Sequence, residues 1–304
     1  MSISSAFFRA TARFACLALL VGHIATAAPS ARAPDLDALQ LVKQFVAEEL
    51  HGDLNALLTY DLAILESHPA YGAPDRTFDT DDCNLVRAIF ALLYTDALPG
   101  LTYATVGTGR PFRGDTLNSF NSLFGKPLPE NPDRFAGLER RHPSDALRAR
   151  AAAFHHTYHT LGNFAPLPNR SLNRKTFNTY RGTRAGWYDA FPIFLQNLHL
   201  ALLDDPSADE MLAQLVENNA DAFAPFRTPD GLLRFAGALD LNDYIDSGTA
   251  LPIPHYAPHA HYASTDPAAY LASVDHYLTI VPVLIQRRTT RMIARLREIL
   301  AQNP

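Results

Sequence analysis

The chain has 304 residues, 47% of them hydrophobic and 19% charged, with a formal net charge of −5. That is enough apolar material to bury a core without disulfide staples. The acidic balance excludes general binding of nucleic acid or anionic membrane across the whole surface.

The first 27 residues read as an export signal. Arg9 and Arg13 give a positive start, residues 14–24 an apolar run interrupted by Gly22 and His23, and Ala25-Thr26-Ala27 an A-x-A cleavage site. The run is shorter than the about 20 residues that span a bilayer. Cys16 stands at the start of the run, whereas a lipoprotein would carry it after the run. Residues 28–33 follow as a short flexible leader. Cleavage after Ala27 removes two of the 26 Lys+Arg and none of the 31 Asp+Glu, leaving a net charge of −7. It also leaves Cys83 as the lone cysteine, so no intramolecular disulfide forms and a buried core thiol is expected. No second apolar run of about 18 residues stands out, so no transmembrane anchor is expected after cleavage. The expected location is periplasmic or secreted.

From residue 34 onward helical periodicity dominates. Leu36, Leu39, Val42, Phe45, Val46 and Leu50 recur at three- and four-residue steps and mark an amphipathic helix starting at Pro34-Asp35. Asp81 and Asp82 are placed to cap a second helix, apolar on most sides through Leu85, Val86, Ile89, Phe90 and Leu93. Leu101 to Val106 is the best strand candidate. Arg113-Gly114-Asp115 reads as a turn with Asp115 capping a short helix that carries Phe120 and Phe124 inward. Pro143-Ser144-Asp145 starts the helix that contains His155 and His156. Further helices are expected over residues 190–203 and 208–223, the first opened by Trp187, Tyr188 and Asp189.

The last helix is the best defined. Asp266 is its N-cap and Pro267 its first residue. Its stripe runs through Tyr270, Val274, Leu278, Val281, Leu284, Met292, Leu296 and Leu300, with a kink expected at Pro282. Arg287, Arg288, Arg291, Arg295 and Arg297 suit a helix C-terminus; Arg288 alone falls in the gap of the apolar stripe. The reading is a mainly α, single-domain irregular helical bundle over residues 34–301. Long Pro- and Gly-containing loops at 70–80, 98–114, 125–144 and 249–265 connect it.

Chemistry concentrates in residues 154–187, which hold three histidines, four asparagines and a basic block, Arg170, Arg174, Lys175, Arg181 and Arg184. His155 and His159 share a helix face and offer two imidazoles to a divalent metal, although the glutamate of H-E-x-x-H is missing. His255, His259 and His261 form a second cluster in a proline-rich loop. Gly162, Pro166 and Pro168 force a turn after the histidine helix. Asn163 and Asn173 bracket it with side-chain bonds to backbone. His159 would then stand beside Arg170, Arg174 and Arg181, where arginine grips an anion in a fork and imidazole moves a proton. Asp115 and Asn118 would face this cluster as carboxylate and amide partners. The same residues also serve to pin an irregular loop, and both readings stay open.

The elements GDTLNSF, YHTLGNFAPLPNRSLN, YRG, W and QRRTTRMI resemble an uncharacterised bacterial family, a domain of unknown function. Its members share D-T-[IL]-N-S-[FY], Y-H-T-[IL]-G-N-F-x-x-L-P and an arginine-rich end helix. The resemblance spans most of residues 110–300 and implies no activity. Over about twenty residues, HTLGNFAPLPNRSLNRKTF is also similar to the I-G-N-L-x-L-L-P-x-x-x-N portion of HNH-type nuclease domains. The D-H-x-x-P or E-H-x-x-P motif that precedes it there is absent; Glu139-Arg140-Arg141-His142-Pro143 is differently spaced.

Two functions follow as expectations. One is an exported protein whose His/Asn/Arg pocket binds an anionic small molecule or polymer through Asn118, Asn173, Arg170, Arg174 and Arg181. The other is a metal-assisted phosphodiesterase, with His159 as base or ligand supported by Asp115 and Asn163.

Overall fold

The structure, a computed structural model, describes residues 35–72, 80–119, 124–181, 190–255 and 265–304. The leader at 1–33, Phe120, Arg184, Trp187, Tyr188, Asp189, His259 and His261 lie outside the described residues. Helix dominates, as the periodicity predicts. Helix α1 (Leu36–Glu48) starts where expected, with the Asp35 side chain accepting from the Ala38 amide. Helix α2 (Asn84–Tyr94) begins at Cys83 with no side-chain cap, which corrects the capping role given to Asp81 and Asp82. Those two carboxylates are buried in a 3₁₀ turn, Thr80–Asp82. Asp81 accepts from the Thr116 hydroxyl, and Asp82 from that of Thr108.

The strand expected over residues 101–106 is a turn with one isolated bridge, Val106 to Phe112. The strand lies just beyond it: β1 (Phe112–Thr116). Asp115 therefore sits inside a strand and caps no helix. A small hairpin follows, β2 (Pro127–Leu128) with β3 (Asn131–Phe135), and then α3 (Ala136–Glu139). Helix α4 (Asp145–Thr157) is capped by Ser144, whose hydroxyl accepts from Leu147. It ends two residues before His159.

Strand β4 (Phe164–Pro168) pairs antiparallel with β1, placing Asp115 opposite Ala165 and Thr116 opposite Phe164. Gly114 lets this ribbon lie on the 3₁₀ turn: a Cβ there would come within 1.8 Å of the Asp81 carbonyl oxygen. Helices α5 (Phe177–Tyr180), α6 (Ala190–Leu202), α7 (Glu210–Asn218), α8 (Ala220–Phe223) and α9 (Gly231–Ala238) follow. The expected helix over 208–223 is thus two pieces, broken at Asn219. A two-residue ribbon, β5 (Ile245–Asp246) with β6 (Leu251–Pro252), precedes the last helix.

Helix α10 (Pro267–Gln302) is capped by Asp266 and runs unbroken through Pro282. Its buried stripe joins two apolar clusters. Tyr270, Val274, Tyr277 and Val281 pack with Phe124, Phe135, Leu147 and Phe154, against β3 and α4. Met292, Ile293 and Leu296 enter the main core with residues of α1, α2, α6, α7 and α9. Each fully buried leucine or phenylalanine contributes about 1.5–3 kcal/mol. By length and composition α10 is also apolar enough to cross a membrane, with an 18-residue stretch of mean hydropathy 1.4. This corrects the reading that no second run of that length exists. The stripe, with Arg288 in it, faces the protein core. The described residues belong to one unit, Arg32–Pro304.

Candidate functional site

The β1–β4 ribbon brings the two motif-rich segments side by side. Past the end of β1 the chain keeps close to the 3₁₀ turn Leu161–Asn163: the Leu117 amide donates to the Asn163 carbonyl at 2.7 Å. Asn163, fully buried, then closes a ring of amides with Asn118. Its Oδ1 accepts from the Asn118 backbone N–H at 3.0 Å and from the Asn118 side chain at 3.1 Å. Its Nδ2 donates to the carbonyls of Asn118 and Tyr158. Asn118 Nδ2 also donates to the Tyr244 hydroxyl at 2.9 Å, and burial pushes that phenol up to about 12.

Beside this ring lies a buried ion pair. Arg181 Nη1 donates to Asp115 Oδ2 at 2.6 Å and to the Thr116 carbonyl at 2.8 Å. Nη2 donates to the Leu117 carbonyl at 2.8 Å. The other Asp115 oxygen accepts from Asn178 at 2.9 Å. The hollow next to Asp115, lined by Gly114, Pro168, Asn169 and Asn178 among others, measures about 10 Å³, room for about one water. With both oxygens held by Arg181 and Asn178, Asp115 is placed to anchor the ribbon. Asn118, Asn163 and Arg181 share that placement.

His159 belongs to a different pair. Its Nδ1 lies 3.7 Å from Asp61 Oδ1, and its ring stacks on Phe164. His155 packs edge-on against Phe135 and tilts against the ring of His156, with centroids 5.6 Å apart. Burial lowers its pKa and the neighbouring His156 lowers it further, against the pull of Asp133 and Asp61. Among the described residues, one oxygen of Asp133 and one nitrogen each of His155 and His156 lie within 4.8 Å of one another; the spacing had paired His155 with His159, which stands near Asp61.

The expected arginine cluster is dispersed. Arg181 is buried, whereas Arg170 is exposed, 3.3 Å from Asp221. Asn173 and Arg174 are exposed at the tip of a tight turn between Leu172 and Lys175. Both have positive φ (49° and 64°), as a two-residue hairpin loop requires. Among the described residues, the Asn173 bonds expected to bracket the turn are replaced by those of Asn218 and Asn219. The Asn219 side chain, buried, accepts from the Arg170 N–H and donates to its carbonyl. Asn218 donates to the same carbonyl at 3.0 Å.

Two adjoining grooves meet at Arg170. One, about 440 Å³, is lined by Gly109, Arg110, Pro111, Asn169, Arg170, Ser171 and Thr176. The other, about 330 Å³, runs past Phe112 and Pro168 to Asn219 and Asp221. The loops bearing the two arginines are tied together: the Asn169 amide donates to the Pro111 carbonyl at 2.6 Å, and its side chain to Arg110. Arg110, Asn178, Asn219 and Tyr244 were not singled out from the sequence. Each is an ordinary residue type whose partner lies far along the chain, so no local pattern marks it.

Among the described residues Arg288 is fully buried, as Arg181 is. It donates to the carbonyls of Leu239, Gly162 and Phe164 and to the Tyr94 hydroxyl. The apolar-stripe gap that set it apart thus reflects a link from α10 to the motif turn. Arg291 and Arg295 pair with Asp243 and Asp240. No protein family, curated protein or solved structure matches the chain.

Proposed function

We propose that this is an exported, mainly helical protein that binds an anionic ligand without transforming it, in the groove between Arg110 and Arg170. The observation that carries this reading is that both arginines line one open groove, together with the neutral polar Asn169, Ser171 and Thr176. Guanidinium forks suit carboxylate and phosphate oxygens. The backbone on both sides is fixed by Asn169, Asn218 and Asn219, so little ordering is needed on binding. Arg174, Asn173 and Lys175 lie further along the same loop, where they extend the basic rim toward a longer anion. Asp115, Asn118, Asn163 and Arg181 form the floor beneath the loop.

The fold is a single-domain irregular bundle in this reading, exported by the leader at 1–27. The phosphodiesterase alternative needs His159, as base or ligand, with Asp115 and an arginine in one cleft. His159 Nδ1 lies 3.7 Å from Asp61 while Asp115 and Arg181 bond each other, which supports binding over catalysis.

The test is calorimetric titration with inorganic phosphate and with citrate, comparing wild type with Arg110→Ala and Arg170→Ala. Both residues are exposed, so both variants should fold. Each should weaken binding of the preferred anion at least about tenfold, the equivalent of one charge-assisted hydrogen bond. Unchanged binding in both variants would sink the reading.

A further inference from the structure

One side-chain cluster outside the groove has the composition of a metal centre. Strand β3 runs along α4, and the strand period of two puts Asp133 and Phe135 on one face. Phe135 is buried and meets the His155 ring edge-on, with centroids 5.3 Å apart. Asp133 reaches the next histidine, its Oδ1 2.9 Å from His156 Nε2. The Asp133 backbone N–H is itself held by Asn131 Oδ1 at 3.0 Å. One carboxylate oxygen and one nitrogen from each imidazole thus lie within 4.8 Å of one another.

We propose that Asp133, His155 and His156 form a binding site for a divalent transition-metal ion of the zinc class. Two imidazoles with one carboxylate are a donor set that Zn²⁺ and its neighbours accept, and Mg²⁺ or Ca²⁺ do not favour. The packing of Phe135 sets the orientation of the His155 ring. Asp133 and His156 are exposed, so an ion enters from solvent, and three protein donors leave room for water or an anionic group beside it. The site does not depend on the Arg110/Arg170 groove.

The experiment titrates chelator-stripped protein with ZnCl₂ by calorimetry, beside Asp133→Asn, His156→Gln and His159→Gln, each checked by circular dichroism. Wild type should bind one ion per chain. Asp133→Asn and His156→Gln should each lose at least about 10-fold in affinity, since even changes outside the ligand shell cost metal sites that much. His159→Gln should bind as wild type. Affinity unchanged in Asp133→Asn and His156→Gln overturns the proposal, as does a wild type with no saturable binding. Loss confined to His159→Gln also overturns it, placing the ion between His155, His159 and Asp61. The two ligand variants lie on different elements, so failure of one to fold leaves the other decisive.

Discussion

Gly162 lies against Thr289 so closely that a Cβ on the glycine would stand 2.3 Å from the threonine Oγ1 and 2.1 Å from the Ile285 carbonyl oxygen. The contact is also bonded: the Gly162 N–H donates to Thr289 Oγ1 at 3.0 Å. One turn of α10 thereby grips the turn that carries Asn163. Because the obstruction includes backbone, the neighbour cannot rotate away. Gly162→Ala should destabilise the fold by about 3 kcal/mol or more, at or beyond the upper end of overpacking costs. Urea unfolding measures this. A loss below about 1 kcal/mol would mean that α10 and the turn separate easily.

The buried Asp115–Arg181 pair separates the structural role from the catalytic one. Asp115→Asn leaves the Arg181 guanidinium buried without its countercharge, and breaking such a pair typically costs about 3–5 kcal/mol. The expected outcome is a large drop in the unfolding midpoint. Anion affinity in the Arg110/Arg170 groove should stay within about twofold of wild type at temperatures where the variant is folded. A stable Asp115→Asn variant that has lost ligand binding would move Asp115 from the floor into the site.

Much of the helical architecture was legible, because helix starts and stripes are local signals. Asp35, Ser144 and Asp266 cap the helices whose starts their positions mark. The β1–β4 ribbon was not legible. Its strands are five residues each, one buried at every position and one carrying glycine and charge, so neither alternates in the way that identifies a strand. The surroundings of the candidate site residues were hidden for the same reason. Asp115 looks like a cap when only Thr116 and Leu117 are in view. It becomes an ion-pair partner only when Arg181, 66 residues on, is folded against it. The motif residues Asn118 and Asn163 are buried and bonded to each other, and residue type alone does not tell a ligand amide from a buried one. Asp133 gave no signal at all, since its relation to His156 is set by the β2–β3 hairpin.

Glu139 predicts a pH dependence. It accepts from Arg134 at 3.0 and 2.6 Å and from Arg148 at 2.9 Å. Foremost the Arg134 bond, then the bond and charge of Arg148, hold its carboxyl down at about 2, against an ordinary value of 4.5. A folded-state pKa below the unfolded one means stability that is fully present above about pH 4.5. It is lost as pH falls from there toward 2. Both arginines are partly exposed, so solvent screening keeps the effect modest. Thermal midpoints measured between pH 6 and 2 should fall less steeply in Glu139→Gln than in wild type over that window. Parallel curves would show that the pair contributes nothing to stability.

Cys83 sets two opposing effects against each other, and the outcome can be measured. It stands at the N-cap of α2, where the amides of Leu85 and Val86 favour a thiolate, as helix starts generally do. Burial acts the other way and is the larger effect, helped by the nearby Asp81 and Asp82 carboxylates; the thiol is pushed up to about 12. The side chain is also fully shielded from solvent. Cys83 should therefore resist iodoacetamide in native buffer at pH 8, with its peptide recovered unmodified by mass spectrometry. Labelling should appear with the unfolding transition as urea is raised, at the same midpoint as the loss of helix. Rapid labelling below that transition would show that the start of α2 opens locally, and that burial does not govern this thiol. In that case Cys83 would be a reactive group rather than part of the core.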